Sequence, residues 1–373
     1  MRIEGKDFIA PDGAKFQIKG INLSNWLMPE GYMFKFKVSD SPRQIFAAFD
    51  RLLGPERARL FWRDFRNNYI GRDDIRFIKS VGFNTVRIPI LWRLFMDEQG
   101  EITGDSWLLL DRALGWIREE GLYAIIDLHA APGGQTGVNH DDGPGYPGMF
   151  YAPRDRRLTI KLWQAIARRY AGNPVILGYD VLNEPIAPYH DMATLNPRLA
   201  PFYKQVTAAI REIDPQRIII LGGAQWNQRF SMLGEPFTDN LAFTYHAFWA
   251  STKRDTIQRH LNFSNRYDVP VFLSESGEFT DEWNAAFRKL HETHGIGWMF
   301  WAYKNLDTSS TVVSIPRPDN WDEIVAFVDG KTDQRPDAAV IDRAMAQFLD
   351  GIRFKNAMVR GSYLESLGLE GAP

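Results

Sequence analysis

Gly178-Tyr179-Asp180-Val181-Leu182-Asn183-Glu184-Pro185 is the stretch on which the reading of the fold turns. The largely apolar run from Val175 to Tyr179 leads through Asp180-Val181-Leu182 and stops at Asn183-Glu184-Pro185. A short apolar run of this kind reads as a buried strand, 175–182. Pro185 lacks the N–H that a sheet ladder needs, so the strand ends at about that point. An amide and a carboxylic acid therefore stand side by side at the C-terminal end of a strand. In a barrel of parallel strands that end is the active face. Elsewhere it is an ordinary polar terminus facing solvent.

Working outward, helix-then-strand units repeat along the chain. Strands are predicted at 14–22, 85–89, 123–128, 175–182, 217–221, 241–245, 271–274 and 298–301. Between them lie helical patterns: from 42 onward, then 73–79, 105–117, 155–170, 201–213, 256–267, 282–294 and 338–354. Asp73, Asp74 and Asp105 supply start signals, and Gly82, Gly121, Gly172 and Gly295 supply stops. Eight strands alternating with helices predict a parallel (β/α)8 barrel of the α/β class, in one domain over 1–373. No G-x-G-x-x-G follows a strand, which counts against a dinucleotide fold. The segments 130–154 and 304–337 are rich in Gly, Pro and Asp and follow strands. Both read as long loops overhanging the active face.

The 373 residues carry 44 Lys+Arg against 46 Asp+Glu, a net charge of -2. That balance argues against nucleic acid or an anionic membrane as partner. With no cysteine there is no disulfide, thiolate metal site or Cys nucleophile. Residues 1–20 hold scattered charges and no apolar run, unlike a signal peptide. This suits a cytoplasmic protein, or a secreted one whose signal has been removed. Aromatics reach 13%, with 12 Trp. They fill cores by default; a sugar-binding cleft also needs flat rings, and composition does not separate the two.

Polar residues end most of the expected strands. Arg87 ends the second, His129 the third, Asn183 and Glu184 the fourth, His246 the sixth, Glu275 the seventh and Trp301 the eighth; Gln225 and Trp226 follow the fifth. One polar end means little, but together these residues would gather at one barrel mouth. Two acids dominate. Cleaving a glycosidic bond needs one carboxylic acid to protonate the leaving oxygen, and a second to attack the anomeric carbon or activate water. Glu184 and Glu275 come from different sides of the mouth; in a retaining enzyme they would stand roughly 5–5.5 Å apart. Metal catalysis would want several His and Asp ligands, and no H-x-H pair is present. A serine nucleophile lacks its G-x-S-x-G elbow. Arg87 and the two histidines also have plain structural readings as core ion-pair and core residues. Trp26 reads as packing, and Gln225 and Trp226 are open. His140, Asp141 and Asp142 read either as subsite-shaping loop residues or as solvated ones.

The matching stretches are G-I-N-L-S-N-W-L (20–27), V-R-I-P (86–89), D-L-H-A-A-P-G-G-Q (127–135), L-N-E-P (182–185), T-Y-H (244–246), P-V-F-L-S-E-S-G-E (270–278) and G-W-M-F-W-A-Y-K (297–304). In these the chain resembles glycoside hydrolase family five, a group of retaining (β/α)8 glycosidases. The resemblance implies that Glu184 is the general acid/base and Asn183 the amide that holds the sugar 2-hydroxyl. It makes Glu275 the nucleophile and Arg87 the arginine that keeps it ionised, since a nearby guanidinium lowers a carboxyl pKa. It gives His129 and His246 the task of binding sugar and orienting the acids, and makes Trp301 the platform under the sugar. Glu30 falls where the exo-β-1,3-glucanase branch has a sugar-binding glutamate.

There are two departures from the family pattern. The family's His-x-Tyr is here His246-Ala247-Phe248, and its Leu-Gly-Glu is Leu273-Ser274-Glu275. Tyr245 is the adjacent candidate for the missing hydroxyl contact with substrate or nucleophile, although an ideal strand aims it to the other face. Glu278 is a rival nucleophile three residues beyond the strand end. The resemblance implies a retaining β-glycosidase with no cofactor and no metal, acting on a carbohydrate as a monomer or weak oligomer. Within the family it leans toward exo action on β-glucans or gluco-oligosaccharides; an endo-β-1,4-glucanase or mannanase, or an inactive glycan-binding barrel, are the alternatives. The mechanism asks that Glu184 start protonated, its pKa raised by the Glu275 charge.

Overall fold

In the computed structural model, which describes residues 1–369, eight parallel strands close into a barrel in sequence order. Positions 370–373 of the expected domain lie outside the described residues. The strands are β1 Lys19–Asn22, β2 Thr85–Leu91, β3 Tyr123–Ala130, β4 Ile176–Asp180, β5 Ile218–Gly222, β6 Leu241–His246, β7 Val271–Glu275 and β8 Trp298–Phe300. β8 pairs back onto β1, with Phe300 opposite Ile21. Runs such as Ile218-Ile219-Ile220-Leu221 are apolar throughout because parallel strands are covered on both faces.

Alternation sorts each strand. On β2, Val86, Ile88 and Ile90 join the layer under the helices, while Arg87 points into the barrel; on β6, Leu241, Phe243 and Tyr245 face the helices. The barrel interior has two storeys. Its floor is apolar, from Ile125, Ile218, Ile220, Ala242, Phe272 and Met299, and is plugged by Phe8. Its upper storey is polar and buried: Asn22, Arg87, Asp127, Asp180 and Ser274.

Three boundaries differ from the sequence reading. The expected strand 14–22 is two pieces: Lys15–Phe16 belongs to an antiparallel sheet with Arg2–Glu4 and Asp7–Ile9, and only Lys19–Asn22 enters the barrel. β4 stops at Asp180, although the amides of Val181 and Asn183 still bond to Ile220 O and Leu128 O, each at 3.1 Å. The helix expected at 201–213 is Met192–Arg211, and it contains Pro197 and Pro201, which tertiary packing overrides.

The segment 304–337 is folded rather than a loop. Lys304–Leu306 pairs with Val313–Ile315, which pairs with Met358–Val359, and Trp321–Val328 is helical. Val313, Ile315, Trp321 and Ile324 bury fully there, apolar anchors spaced between the Pro and Asp residues. The region after β1 holds the helices Pro42–Leu53 and Pro55–Tyr69, parted at Gly54. Phe34, Phe36, Phe49, Phe61, Trp62, Phe65, Trp321 and Phe348 interlock in that layer. Much of the aromatic surplus is therefore core.

Candidate active site

Arg87 is wholly buried at the centre of the polar storey. A guanidinium in that place needs charge partners on every side. It pairs with Asp127 and Asp180 at 2.9 Å each and contacts Glu275, and it donates to Asn22 at 3.1 Å and Asn183 at 3.0 Å. Asn22 in turn donates to Ser274 O and Phe300 O, tying β1 to β7 and β8. The second strand thus carries the cation that holds the upper acids together.

Two carboxyls flank the mouth, and each reaches it through a local irregularity. Glu184 has φ 45°, in the left-handed region that costs a non-glycine residue roughly 1–3 kcal/mol. The chain there is held by Ile186 N to Gln135 O and Ala187 N to Thr136 O, both 2.9 Å. Gln135 also donates to His129 O and Asn183 O, stapling the ends of β3 and β4. At β7 the register slips between Leu273 and Glu275. Such a bulge lets two successive side chains serve one face: Ser274 meets His246 and Glu275 meets Arg87.

His246 joins the two acids. Its Nδ1 lies 2.8 Å from Glu184 Oε1 and 3.4 Å from Glu275 Oε2. Its Nε2 faces Ser274 Oγ at 2.9 Å and Asn227 Nδ2 at 3.2 Å. The Asn227 amide can only donate there, so Nε2 accepts and the ring keeps its proton on Nδ1, toward Glu184. One carboxylate oxygen of Glu184 and one of Glu275 lie within 4.8 Å of each other. On the other wall, His129 Nδ1 donates to Asp127 at 2.7 Å, its Nε2 accepts from Asn183 at 3.2 Å, and its ring stacks on Trp301. The Trp301 indole N–H donates to Tyr32 Oη at 2.6 Å.

A pocket of about 390 Å³ opens above these groups. Every strand end but that of β2 contributes to its lining: Glu30 and Tyr32, His129 and His140, Asn183 and Glu184, Trp226, His246 with Phe248 and Trp249, Glu275 with Glu278, and Trp301. One oxygen of Glu30 is buried without a partner, and burial pushes its carboxyl well up. The pocket therefore pairs aromatic walls with acceptors suited to hydroxyl groups.

The charges are not distributed as the resemblance implied. Burial pushes Asp127, Asp180 and Glu275 up to about 7 each, against the pull of Arg87, which three acids share. Burial also raises Glu184, but His140 and His246 outweigh it and hold that carboxyl well below the usual range. The expected elevation of Glu184 by its neighbour is thus overturned by two imidazoles, one of them, His140 at 3.2 Å, on a loop.

Of the residues singled out from sequence, Glu30, His129, Asn183, Glu184, Trp226, His246, Glu275 and Trp301 line one pocket. Arg87 lies beneath it, in contact with Glu275 but not with the cavity. Tyr245 is a correction: it is buried outside the barrel with its ring stacked on His260 at 3.9 Å, because the alternation of β6 turns it to the helices. Among the described residues, the contacts to Glu275 come from Arg87, His246 and His129 and from no tyrosine. Trp26 is packing, its indole donating to Arg66 O at 2.8 Å. Gln225 is structural, its amide donating to Asn196.

The loop trio divides. Asp141 collects the amides of Thr136, Gly137 and Gly143, and Asp142 pairs with Arg43 and Arg93, so His140 alone faces the site. Sequence reasoning missed Asn22, Tyr32 and Asn227. Asn22 stood inside a quoted motif, but nothing local marked the other two.

Among the described residues, two groups of side chains bring ligand atoms together, Asp127–His129–Glu275 and Glu184–His246–Glu275. Both share Glu275, which already meets the fixed Arg87 cation. A divalent ion would compete with that guanidinium for the same oxygens, so the donor set fits a metal poorly.

The sequence profile described as Cellulase (glycosyl hydrolase family 5) matches residues 54–307. A beta-xylosidase of Phanerodontia chrysosporium is 30% identical over 253 residues, covering 66% of this chain and 52% of the relative. A glucan 1,3-beta-glucosidase I/II of Saccharomyces cerevisiae is 29% identical over 292 residues, 70% of this chain and 63% of the relative. The chain spans about half the length of the first curated relatives it matches. In fold it is similar to an endogalactoceramidase (TM-score 0.66, 17% identity, 98% of this chain and 84% of that one). It is also similar to a rutinosidase from Aspergillus niger (TM-score 0.63, 16% identity, 79% and 92%).

Proposed function

Because the chain belongs to glycosyl hydrolase family 5, we propose that it is a retaining β-glycosidase in which Glu275 is the nucleophile and Glu184 the acid/base. The observation that carries this reading is the pair of carboxylate oxygens within 4.8 Å of each other, both against His246. Retaining enzymes keep their acids about 5–5.5 Å apart, whereas inverting ones leave about 6.5–9.5 Å for a water. Glu275 attacks the anomeric carbon as Glu184 gives a proton to the departing oxygen, and a glycosyl ester forms. Glu184 then takes a proton from the water that opens the ester. Arg87 and His246 hold one oxygen each of the Glu275 carboxylate, and Asn183 and Glu30 offer groups to the sugar hydroxyls. Trp301, anchored by Tyr32 and stacked on His129, is a flat surface for the ring.

Exo action on β-glucans or β-gluco-oligosaccharides fits the cavity. Its lining comes from seven of the eight strand ends around a cavity of about 390 Å³, at the small end for ligand sites, which supports a short-product reading. The relatives named for β-1,3-glucosidase and β-xylosidase activity support short-product chemistry. Glu30 lies outside the matched residues 54–307, so its role rests on its position in the pocket.

The test is Glu275→Ala. Turnover of aryl β-glucosides should vanish, and azide should restore part of it with a product of inverted configuration. Turnover that persists in the variant removes Glu275 from the role. A product time-course on laminarin and cello-oligosaccharides should show short sugars from the outset; early mid-length fragments would instead mean endo action.

A further inference from the structure

His140 has no assigned part in the mechanism above, yet it is the pocket group nearest the free oxygen of Glu184. Glu184 Oε1 is taken by His246 Nδ1 at 2.8 Å, and Oε2 faces His140 Nε2 at 3.2 Å. The two imidazoles are not equivalent. His246 Nε2 faces the Asn227 amide and the Ser274 hydroxyl, and its Nδ1 faces Glu184 Oε1, so both ring nitrogens are engaged. His140 Nε2 has no such constraint: it is buried without an aligned hydrogen bond, and the Glu184 carboxyl is the acid in contact with it, at 3.2 Å. Its turn is built to hold it there: Asp141 gathers three backbone amides at 2.6–2.7 Å, and Asp142 is tied back by Arg43 and Arg93.

We propose that His140 and Glu184 together hold the proton that the departing group receives, with His140 as a positioning residue that acts through Glu184. This rests on the reading of Glu184 as the acid/base. In the resting pair the proton is on His140 Nε2. As the glycosidic C–O bond breaks, the His140 N–H bond breaks too, and its proton passes through Glu184 Oε2 to the leaving oxygen, which leaves His140 neutral and Glu184 a carboxylate. In the second step, water attacks the glycosyl ester, its proton passes to Glu184, and from there it returns to His140. One proton leaves with the aglycone and one is recovered from water, so the cycle closes.

The surrounding charges agree with a cationic His140. Facing it are Glu184, Glu30 and Asp40 from other segments, Asp141 on its own turn, and the buried Asp127 and His129 of β3. Glu184 also faces His246 and Glu275. Burial lowers the His140 imidazole, but Glu184, Glu30 and Asp141 reverse this and lift it to about 9.

The experiment compares wild type, His140→Asn and Glu184→Gln on phenyl and dinitrophenyl β-glucosides across pH. Dinitrophenolate departs without a proton, so it reports the nucleophilic step alone. With His140→Asn, the alkaline limb of kcat/KM for the phenyl glucoside should move to lower pH by about a unit or more. On that limb the loss should exceed the loss on the dinitrophenyl glucoside by roughly tenfold or more. An unmoved limb, or equal losses on both substrates, overturns the proposal and leaves His140 as a wall of the pocket. Glu184→Gln tests the underlying reading separately. It should lose the phenyl glucoside and still form the glycosyl-enzyme from the dinitrophenyl one; if it spares the phenyl glucoside, Glu184 is not the acid. Should His140→Asn not fold, ¹⁵N resonances of the wild-type ring decide. Both His140 nitrogens protonated at neutral pH supports the proposal, and a neutral ring overturns it.

Discussion

Arg87 shows what burial does to a set of charges. Burial lifts the Asp127, Asp180 and Glu275 carboxyls to about 7 each, and the one guanidinium that all three meet offsets only part of that rise. In the proposed mechanism Glu275 has to be ionised to attack, so kcat/KM should fall as pH drops through about 7. The transferable proton on the Glu184–His140 pair should be lost as pH rises through about 9. The expected profile is a bell with its optimum on the alkaline side of neutrality, read from kcat/KM on an aryl glucoside. Activity that does not fall below about pH 7 or above about pH 9 would contradict the charge assignment. At this scale the acids themselves were legible in the sequence, since Glu275 ends β7 and Glu184 follows closely on β4. Their protonation was not, because it depends on His140 and His246, which arrive from a loop and from β6.

Among the elements, β5 and β7 show how local backbone aims the site. The β7 bulge at Ser274 makes both Ser274 and Glu275 useful, which a regular strand forbids. This accounts for the Leu-Ser-Glu departure noted in the sequence, because the serine hydroxyl meets His246 Nε2. At the end of β5, Gly222 leaves room for Asn227. A Cβ at Gly222 would lie 2.1 Å from Asn227 Oδ1 and 2.7 Å from its Nδ2. Gly222→Ala should therefore push Asn227 off His246 and loosen the ring that spans both acids. We expect kcat/KM to fall roughly tenfold, and a stability loss of about 1–3 kcal/mol from overpacking, checked by kinetics beside a urea melt. Wild-type kinetics in a folded variant would show that Asn227 does not orient His246. Periodicity located β5 and β7, but neither the bulge nor the need for Gly222 leaves a mark in one dimension.

For the molecule as a whole, the segment after β8 ties the barrel mouth to the helical layer. Lys304 is fully buried and pairs with Asp74 at 2.5 Å, and it donates to Tyr69 O and Ile352 O at 2.7 and 2.9 Å. Tyr303 also donates to Asp74, at 2.9 Å. Three distant segments thus converge three residues beyond Trp301. Lys304→Met should cost about 3–5 kcal/mol, because it leaves Asp74 buried without its cation, and the loss is read as a lowered denaturant midpoint. The paired change Lys304→Met with Asp74→Leu should recover part of that loss. The sequence by itself determined the barrel, since eight apolar runs alternating with helical patterns have few other ways to bury their faces. It also set Glu275 at the end of one strand and Glu184 just past another. Only the tertiary structure decided which of those residues share a cavity. Tyr245 and His246 are neighbours in the chain, yet they face opposite sides of β6. His140 and Glu184 are far apart in the chain, yet they touch. Period and propensity act over a few residues, whereas burial and charge act over ångströms, and those distances exist only once the barrel has closed.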